Sequence, residues 1–119
     1  MNKFLTVLEY RDSPRAGFYL LTSVLAFESI RAGRTVFAEE GFETNFVTGR
    51  KLLVVRRIVQ DKMNPAAVIH DVLYATGEVP RDIADAVFRD AMLVLGVARW
   101  RAYAAWLAVR TFGGQFYHG

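Results

Sequence analysis

The sequence predicts an α+β fold in which a small N-terminal antiparallel β-meander is covered by three to four C-terminal helices. Two observations predict it. Short β-forming runs separated by turn residues fill positions 1–48, whereas helical periodicity with start and stop signals fills 49–119. Strands that all precede the helices are typical of this class. The 119 residues, 53% of them hydrophobic, suffice for a single domain over 1–119 with a substantial core.

The first 48 residues predict the meander because β-branched and aromatic runs alternate with turns. The predicted strands cover 4–10, 18–21, 23–28, 35–38 and 42–46. In the last of them Phe42, Thr44 and Phe46 share one face, while Glu43 and Asn45 share the other. One face of the meander should therefore be buried against a cover.

The second half of the chain supplies that cover. The predicted helices extend over 49–63, 64–75, 80–95 and 99–112. The first of them is ambiguous, because its β-branched content also suits a strand. Asn64, as an N-cap, and Pro65, at the first helical position, start the second helix. Pro80 starts the third helix and Gly96 ends it.

Composition excludes several kinds of site. There are no cysteines, so disulfides and thiolate–metal sites are excluded. The net charge of +3 arises from 15 basic and 12 acidic residues that are interleaved along the chain, so no nucleic-acid partner is expected. No apolar run approaches the roughly 20 residues that span a bilayer, and no glycine-rich phosphate loop occurs. We therefore expect a soluble chain without a cofactor.

The predicted helix over 64–75 places the only internal histidine beside an aspartate on a mostly apolar surface. His70 and Asp71 need partners there, because an unpaired buried polar group is costly. We expect a structural network that fixes how the sheet docks on the helices, formed by Asn45, His70, Asp71, Arg81 and Asp85. The candidate partners of the two carboxylates are Arg57, Arg81 and Arg89. His70 would donate to a backbone carbonyl or to Asn45.

The same residues allow a chemical alternative. One histidine with carboxylates can hold a divalent ion, so His70, Asp71 and Asp85 form the candidate catalytic set of a hydrolase, with His70 and Asp71 as candidate metal ligands. Metal-dependent phosphohydrolases of the HD type also use an adjacent His-Asp pair on a helix, but their sites need further histidines, and the only other one is His118. No Gly-x-Ser-x-Gly elbow occurs either. The sequence therefore commits no residue to catalysis or to a metal.

Aromatic residues are concentrated in the last predicted helix and after it. Trp100, Tyr103 and Leu107 are expected to pack on the sheet, and Trp106 points away from their stripe. Tryptophan, tyrosine and arginine are enriched at protein interfaces. We therefore predict an interface, beside Arg99, that is formed by Trp106, Arg110, Phe116 and Tyr117.

Five segments together resemble one known family. They are, in chain order, Gly41-Phe-Glu-Thr44-Asn45-Phe46, Pro65-Ala-Ala-Val-Ile-His70-Asp71-Val-Leu-Tyr74, Arg81 with Asp85, Phe88 and Met92, Leu95-Gly96-Val97 with Arg99-Trp100-Arg101, and Ala108-Val109-Arg110 with Phe112-Gly113-Gly114. Their order resembles the phage and prophage family catalogued as domain of unknown function 1353, over nearly the whole chain. The resemblance implies a bacteriophage or prophage origin and a compact α+β domain, without an agreed activity.

The chain departs from the family's pattern at one segment. Relatives usually carry Thr-Asp-Phe-Ala-Ser, Ile or Val, and Pro, where this chain reads Thr44-Asn45-Phe46-Val47-Thr48-Gly49-Arg50. A neutral amide cannot take up a proton near pH 7 as a carboxylate base does, which weakens an enzymatic interpretation. We expect a structural or accessory protein of the virion, at the head–tail junction or in the tail. It would bind other phage proteins or form a homo-oligomer, in the virion or the host cytoplasm. The alternatives are a metal-dependent hydrolase and a phage inhibitor of a host protein.

Overall fold

The computed structural model describes residues 1–46 and 63–118, where six short strands precede three helices. The α+β class predicted from the sequence is thus confirmed. The strands are β1 (Lys3–Phe4), β2 (Tyr10–Asp12), β3 (Tyr19–Leu21), β4 (Leu25–Ser29), β5 (Arg34–Ala38) and β6 (Glu43–Thr44). The helices are α1 (Asn64–Thr76), α2 (Arg81–Val94) and α3 (Arg99–Phe112), followed by a 3-10 turn over Gly114–Phe116. The helix predicted over 49–63, apart from Met63, and the candidate partner Arg57 lie outside the described residues.

The strands form two antiparallel three-stranded sheets, with the strand orders β1-β4-β5 and β2-β3-β6. The stretch predicted as one strand over 4–10 is divided between them, since β1 pairs with β4 and β2 pairs with β3. Thr6 lies at the division. Its hydroxyl donates to the carbonyl of Val24 and accepts from the N–H of Ala26, both at 3.0 Å. A side chain that takes over backbone hydrogen bonds in this way ends the regular pairing.

α1 is the central element of the core. It packs against β4 and β5 and also against α2, and nine of its 13 residues are buried. Phe27 of β4 and Val36 of β5 are fully buried in the same core. A helix that is covered on most sides is apolar on most sides. The polar side chains of α1 must therefore find partners on neighbouring elements.

The start of α1 differs from the prediction in one detail. Met63 occupies the N-cap position, and Pro65 lies in the first turn as expected. The side chain of Asn64 forms no cap, since its buried Oδ1 atom has no hydrogen-bond partner among the described residues. The prediction of Asn64 as N-cap is therefore wrong. Asn64 is already the first residue of the helix, so its side chain is not at the position from which an N-cap oxygen reaches the free N–H groups of the first turn.

The end of α1 follows the sequence signal. Gly77 adopts a left-handed backbone with φ 63°, and its N–H donates to the carbonyl of Leu73. The three helices that result have 13, 14 and 14 residues. Of the helices in the described ranges, none combines the length and the apolar character that crossing a bilayer requires.

α3 packs on α2 through its small residues. The buried residues of α3 are Ala102, Ala105 and Val109. Trp100, Tyr103 and Leu107 are instead 66%, 41% and 58% exposed, so the expectation that they pack on the sheet is wrong. Small side chains at the contact let two helix axes approach closely, which favours this side of α3 for packing. We call Trp100, Tyr103 and Leu107 the α3 outer face.

Candidate functional site

The carboxylate of Asp85, on α2, is fully buried and joins all three helices. From α1, Nε2 of His70 lies 2.8 Å from Oδ1, and the hydroxyl of Tyr74 donates to the same oxygen at 2.5 Å. From α3, Nη1 of Arg110 donates to Oδ2 at 2.8 Å. His70 and Tyr74 are four residues apart, so both side chains leave α1 on the side of α2.

Arg81 extends this network to the end of α3. Its Nε donates to the Tyr74 hydroxyl at 3.1 Å and lies 3.9 Å from Oδ2 of Asp85. Its Nη2 donates to the carbonyls of Val109 and Arg110 at 2.9 and 2.8 Å. The last carbonyls of a helix lack partners within it, so a cation at this position stabilises α3. We name the following five residues the Asp85 cluster: His70, Tyr74, Arg81, Asp85 and Arg110.

Hydrogen bonding keeps the Asp85 cluster charged in spite of its burial. Burial alone would raise the pKa of Asp85, but the hydrogen bonds from His70 and Tyr74, the charge of His70 and the hydrogen bond from Arg110 hold it below its ordinary value. Burial and the bond to Asp85 raise the pKa of the Tyr74 hydroxyl, which therefore remains a donor. Since an ionised carboxylate only accepts, Nε2 of His70 carries the proton in their contact.

The Asp85 cluster is closed to solvent at its centre. His70 and Asp85 have no exposed surface, so a substrate cannot contact either side chain. Nδ1 of His70 is buried and has no hydrogen-bond partner in the part of the chain that the structure describes. The Asp85 carboxylate of α2 is bonded by donors from α1 and α3, so the cluster connects the three helices through buried polar contacts.

Asp71 lies on a different side of α1 and contacts the second sheet. The hydroxyl of Thr44, in β6, donates to Oδ2 of Asp71 at 2.5 Å and accepts from the N–H of Phe46 at 3.1 Å. This contact links the β2-β3-β6 sheet to α1. The sequence predicted one network that connects the sheet to the helices. In the structure Asp71 and Thr44 make that connection, whereas the Asp85 cluster connects the helices to one another.

The contact between Asp71 and Thr44 borders an open pocket of about 200 Å³, which we call the Asp71 pocket. Its walls come from the loop before β3, from β6, from α1 and from the C-terminal residues. The lining residues are Phe18, Phe42, Glu43, Thr44, Asn45, Asp71, Tyr74, Ala75, Phe116 and His118. Asn45, predicted as a partner of His70, lies here instead, and His70 bonds Asp85.

The Asp71 pocket combines oxygen acceptors with aromatic rings. Glu43 is already bonded to the Ser13 hydroxyl and to Arg15, at 2.8 and 3.2 Å. The carboxylate of Asp71 already accepts from Thr44. The amide of Asn45 can accept a hydrogen bond from a small polar group. The three candidate hydrolase residues do not line this pocket together, because His70 and Asp85 face the helices. Within residues 1–46 and 63–118, no three histidine or acidic side chains are placed to hold a metal ion.

The predicted interface residues are distributed over three locations. Trp106 is half-buried, with the guanidinium of Arg89 5.1 Å from its ring centroid. Arg110 belongs to the Asp85 cluster. Phe116 lines the Asp71 pocket, and Tyr117 donates to the carbonyl of Val79 at 2.6 Å. Arg89, a candidate partner of the carboxylates, contacts the rings of α3 instead. The α3 outer face, which was predicted to belong to the core, is exposed, and so is Phe112 at the end of the helix.

Three members of these sites were missed by sequence reasoning: Thr44, Tyr74 and Arg110. Tyr74 carried a signal, because it follows His70 by four residues and thus shares its side of the helix. Thr44 was predicted to be buried, but nothing in its strand identified Asp71 as the partner. Arg110 carried no signal, since its pairing with Asp85 depends on how α3 crosses α2.

Comparison with known proteins identifies a family. The family model described as "Protein of unknown function (DUF1353)" matches residues 19–109, from β3 to the last turns of α3. The matched range contains Thr44, Asp71 and four of the five residues of the Asp85 cluster, while Arg110 lies directly after it. No curated protein and no solved structure matches the chain. Because the model covers well over half of the sequence, this protein belongs to the DUF1353 family.

Proposed function

We propose that this chain is a structural or accessory protein of a bacteriophage or prophage particle, at the head–tail junction or in the tail. It acts through contacts with other proteins of the particle. The single observation that carries the proposal is the α3 outer face. Three large apolar side chains are exposed there on successive turns of α3, and the opposite side of this helix is packed in the core.

The α3 outer face has the composition of a binding surface. Tryptophan and tyrosine contribute most strongly to protein interfaces, and large apolar side chains at helical spacing form the contact stripe of many helical complexes. The opposite side of α3 is held by Ala102, Ala105 and Val109 and by Arg81 at the helix end. The exposed side chains are therefore presented on a rigid element, which reduces the entropy lost on binding.

The chemistry of the polar groups supports a non-enzymatic role. The His70 imidazole and the Asp85 carboxylate are bonded to each other and fully buried, so neither is available for proton transfer with a substrate. The amide of Asn45 lines the Asp71 pocket, where its neutral side chain cannot act as a base. A hydrolase built from His70, Asp71 and Asp85 would need these groups to meet at one open cleft.

Mass spectrometry of purified particles tests the proposal. Particles from the bacterium that encodes the chain would be purified after infection or prophage induction and digested with trypsin. We expect peptides of this chain in a constant ratio to those of the other particle proteins across the gradient. A chain that is abundant in the cell lysate but absent from particles would contradict the proposal and would favour an inhibitor of a host protein.

Two matched pairs of substitutions test the role of the α3 outer face. Trp100→Ala with Leu107→Ala removes two exposed side chains from this face, whereas Ile30→Ala with Phe37→Ala removes two from the sheet side, where they are 65% and 52% exposed. We expect the first pair to reduce incorporation into particles by at least about tenfold. The second pair should be incorporated normally. Equal incorporation of both pairs would exclude the α3 outer face as the contact.

A further inference from the structure

We propose that the α3 outer face binds an acidic amphipathic segment of a partner protein. The apolar side chains of that segment contact Trp100, Tyr103 and Leu107, and its carboxylates bind Arg89 and Arg99. The inference rests on the proposed function, because it names the chemistry of the partner that the same surface contacts. It is carried by the position and the charge of the arginines around the outer face.

Arginine side chains lie against the aromatic rings of α3. The guanidinium of Arg89 is 5.0 Å from the ring centroid of Tyr103 and 5.1 Å from that of Trp106. The guanidinium of Arg101 is 5.0 Å from the ring centroid of Trp100. Stacking holds a guanidinium in place while its N–H groups point outward in the plane. This geometry is suited to a carboxylate that approaches from solvent.

Two of the arginines near the outer face have no acidic partner. Elsewhere the arginines with carboxylates nearby are Arg15, Arg31, Arg34, Arg81 and Arg110. In the described ranges neither Arg89 nor Arg99 forms an ion pair. The α3 sequence from Arg99 to Phe112 contains no aspartate or glutamate. The surface is therefore apolar in the middle and positively charged along one edge.

This charge distribution favours an acidic partner over the other occupants of an apolar helix face. A second copy of the chain in antiparallel contact through this face would place Arg89 and Arg99 near their own equivalents, and like charges across an interface are unfavourable. A helix that lies on a membrane needs a broad apolar face, whereas the outer face is a single stripe of three side chains along α3. The apolar side chains of an acidic amphipathic segment match the apolar stripe, and its carboxylates match the positively charged edge at Arg89 and Arg99.

Two synthetic peptides measure the preference directly. The first carries leucine at i, i+3, i+4 and i+7 with glutamate at the remaining positions, and the second carries lysine in place of each glutamate. Binding of the full chain to each peptide would be followed by calorimetry at low and high salt. We expect the acidic peptide to bind at least about tenfold more tightly than the lysine peptide, with an affinity that falls as salt rises.

Substitutions in the chain separate the charged and the apolar contributions. Arg89→Gln with Arg99→Gln should weaken binding of the acidic peptide about tenfold and should not weaken binding of the lysine peptide, because the like-charge repulsion is removed. Leu107→Ala should weaken the acidic peptide as well. Arg11→Gln, at an exposed arginine remote in sequence, and Ile30→Ala are the matched controls and should change neither.

The remaining outcomes distinguish between the possible binding partners of the α3 outer face. Equal affinity for both peptides, or no binding of either, would overturn the inference. It would also be overturned by tighter capture on phosphatidylglycerol vesicles than by the acidic peptide, or by a dimer in sedimentation that Leu107→Ala abolishes. Failure here is distinct from failure of the proposed function. Particles can contain the chain while both peptides bind equally, and the acidic peptide can bind although particles lack the chain.

Discussion

His70 and Asp71 are neighbours in the chain but belong to two different regions of the molecule. His70 is fully buried and bonds Asp85 in a cluster that joins three helices. Asp71 is half-buried, accepts from Thr44 and lines an open pocket. Successive helical side chains point about 100° apart, so α1 carries a closed polar cluster on one side and an open pocket on another, and Tyr74 borders both.

The difference teaches that adjacency in sequence does not establish joint chemistry on a helix. A histidine and an aspartate side by side suggest a paired site, but His70 and Asp71 have different partners and different access to solvent. The closed cluster should determine stability, since each of its groups loses a buried partner when one is removed. The pocket should contribute less, since water can replace a lost contact there.

The largest effect is expected from Asp85→Ala. Removing the carboxylate leaves the buried donors of His70 and Tyr74, and the half-buried guanidinium of Arg110, without their acceptor, so the free energy of unfolding should fall by about 3–5 kcal/mol. Urea denaturation followed by circular dichroism measures it. Asp82→Ala, at an exposed aspartate in the first turn of the same helix, should cost at most about 1 kcal/mol. A similar loss in both variants would contradict the structural role of the Asp85 cluster.

Tyr74→Phe should have the next largest effect. The substitution keeps the ring but removes the hydroxyl that donates to Asp85 and accepts from Arg81. A hydrogen bond to a charged group contributes about 1.5–3 kcal/mol, so a loss of that size is expected in urea denaturation. Tyr103→Phe, at an exposed tyrosine on α3, serves as the control and should be neutral. An unchanged free energy of unfolding in Tyr74→Phe would mean that the hydrogen bond from the Tyr74 hydroxyl to the Asp85 carboxylate does not contribute to stability.

The charge of Asp85 predicts how stability depends on pH. Because its pKa is lower in the folded chain, the ionised carboxylate stabilises the fold above the unfolded pKa of about 3.9. This contribution is lost as pH falls through the lower, folded pKa. Urea denaturation of the wild-type chain and of Asp85→Asn at several pH values measures it. The difference in free energy of unfolding between the wild-type chain and Asp85→Asn should be constant near neutral pH and should become smaller in acid. A difference that widens in acid would reverse the sign assigned to the shift.

Much of the fold could be predicted because it depends on local signals. Pro65, Gly77 and Pro80 act within one turn of the chain, and they delimit α1 and α2 close to the predicted bounds. The division of the strands into two sheets could not be predicted in the same way. It depends on Thr6 bonding to a strand some twenty residues away, which no local pattern records.

The candidate sites were predictable only where helical spacing decides them. The spacing of Arg81 and Asp85 placed both on one side of α2, and in the structure Asp85 bonds His70 while Arg81 bonds Tyr74. The predicted orientation of α3 was wrong. Trp100 and Leu107 were expected to be buried because their side chains are large and apolar. The close approach of two helices favoured alanines instead. Which of two apolar sides is buried depends on the shape of the neighbouring helix, and one sequence segment does not contain that shape.

The smallest effect is expected from Asp71→Asn, which sharpens the comparison between neighbouring residues of α1. The amide keeps the size of the side chain and an oxygen that accepts from Thr44, and the site is half-buried at an open pocket. A loss of about 0.5–1.5 kcal/mol is therefore expected in urea denaturation. Asp85→Asn is the matched control, because the same chemical change in the closed cluster should cost clearly more. If both variants lost equal stability, the two sides of α1 would act as one network, and the separation between closed cluster and open pocket would have to be abandoned.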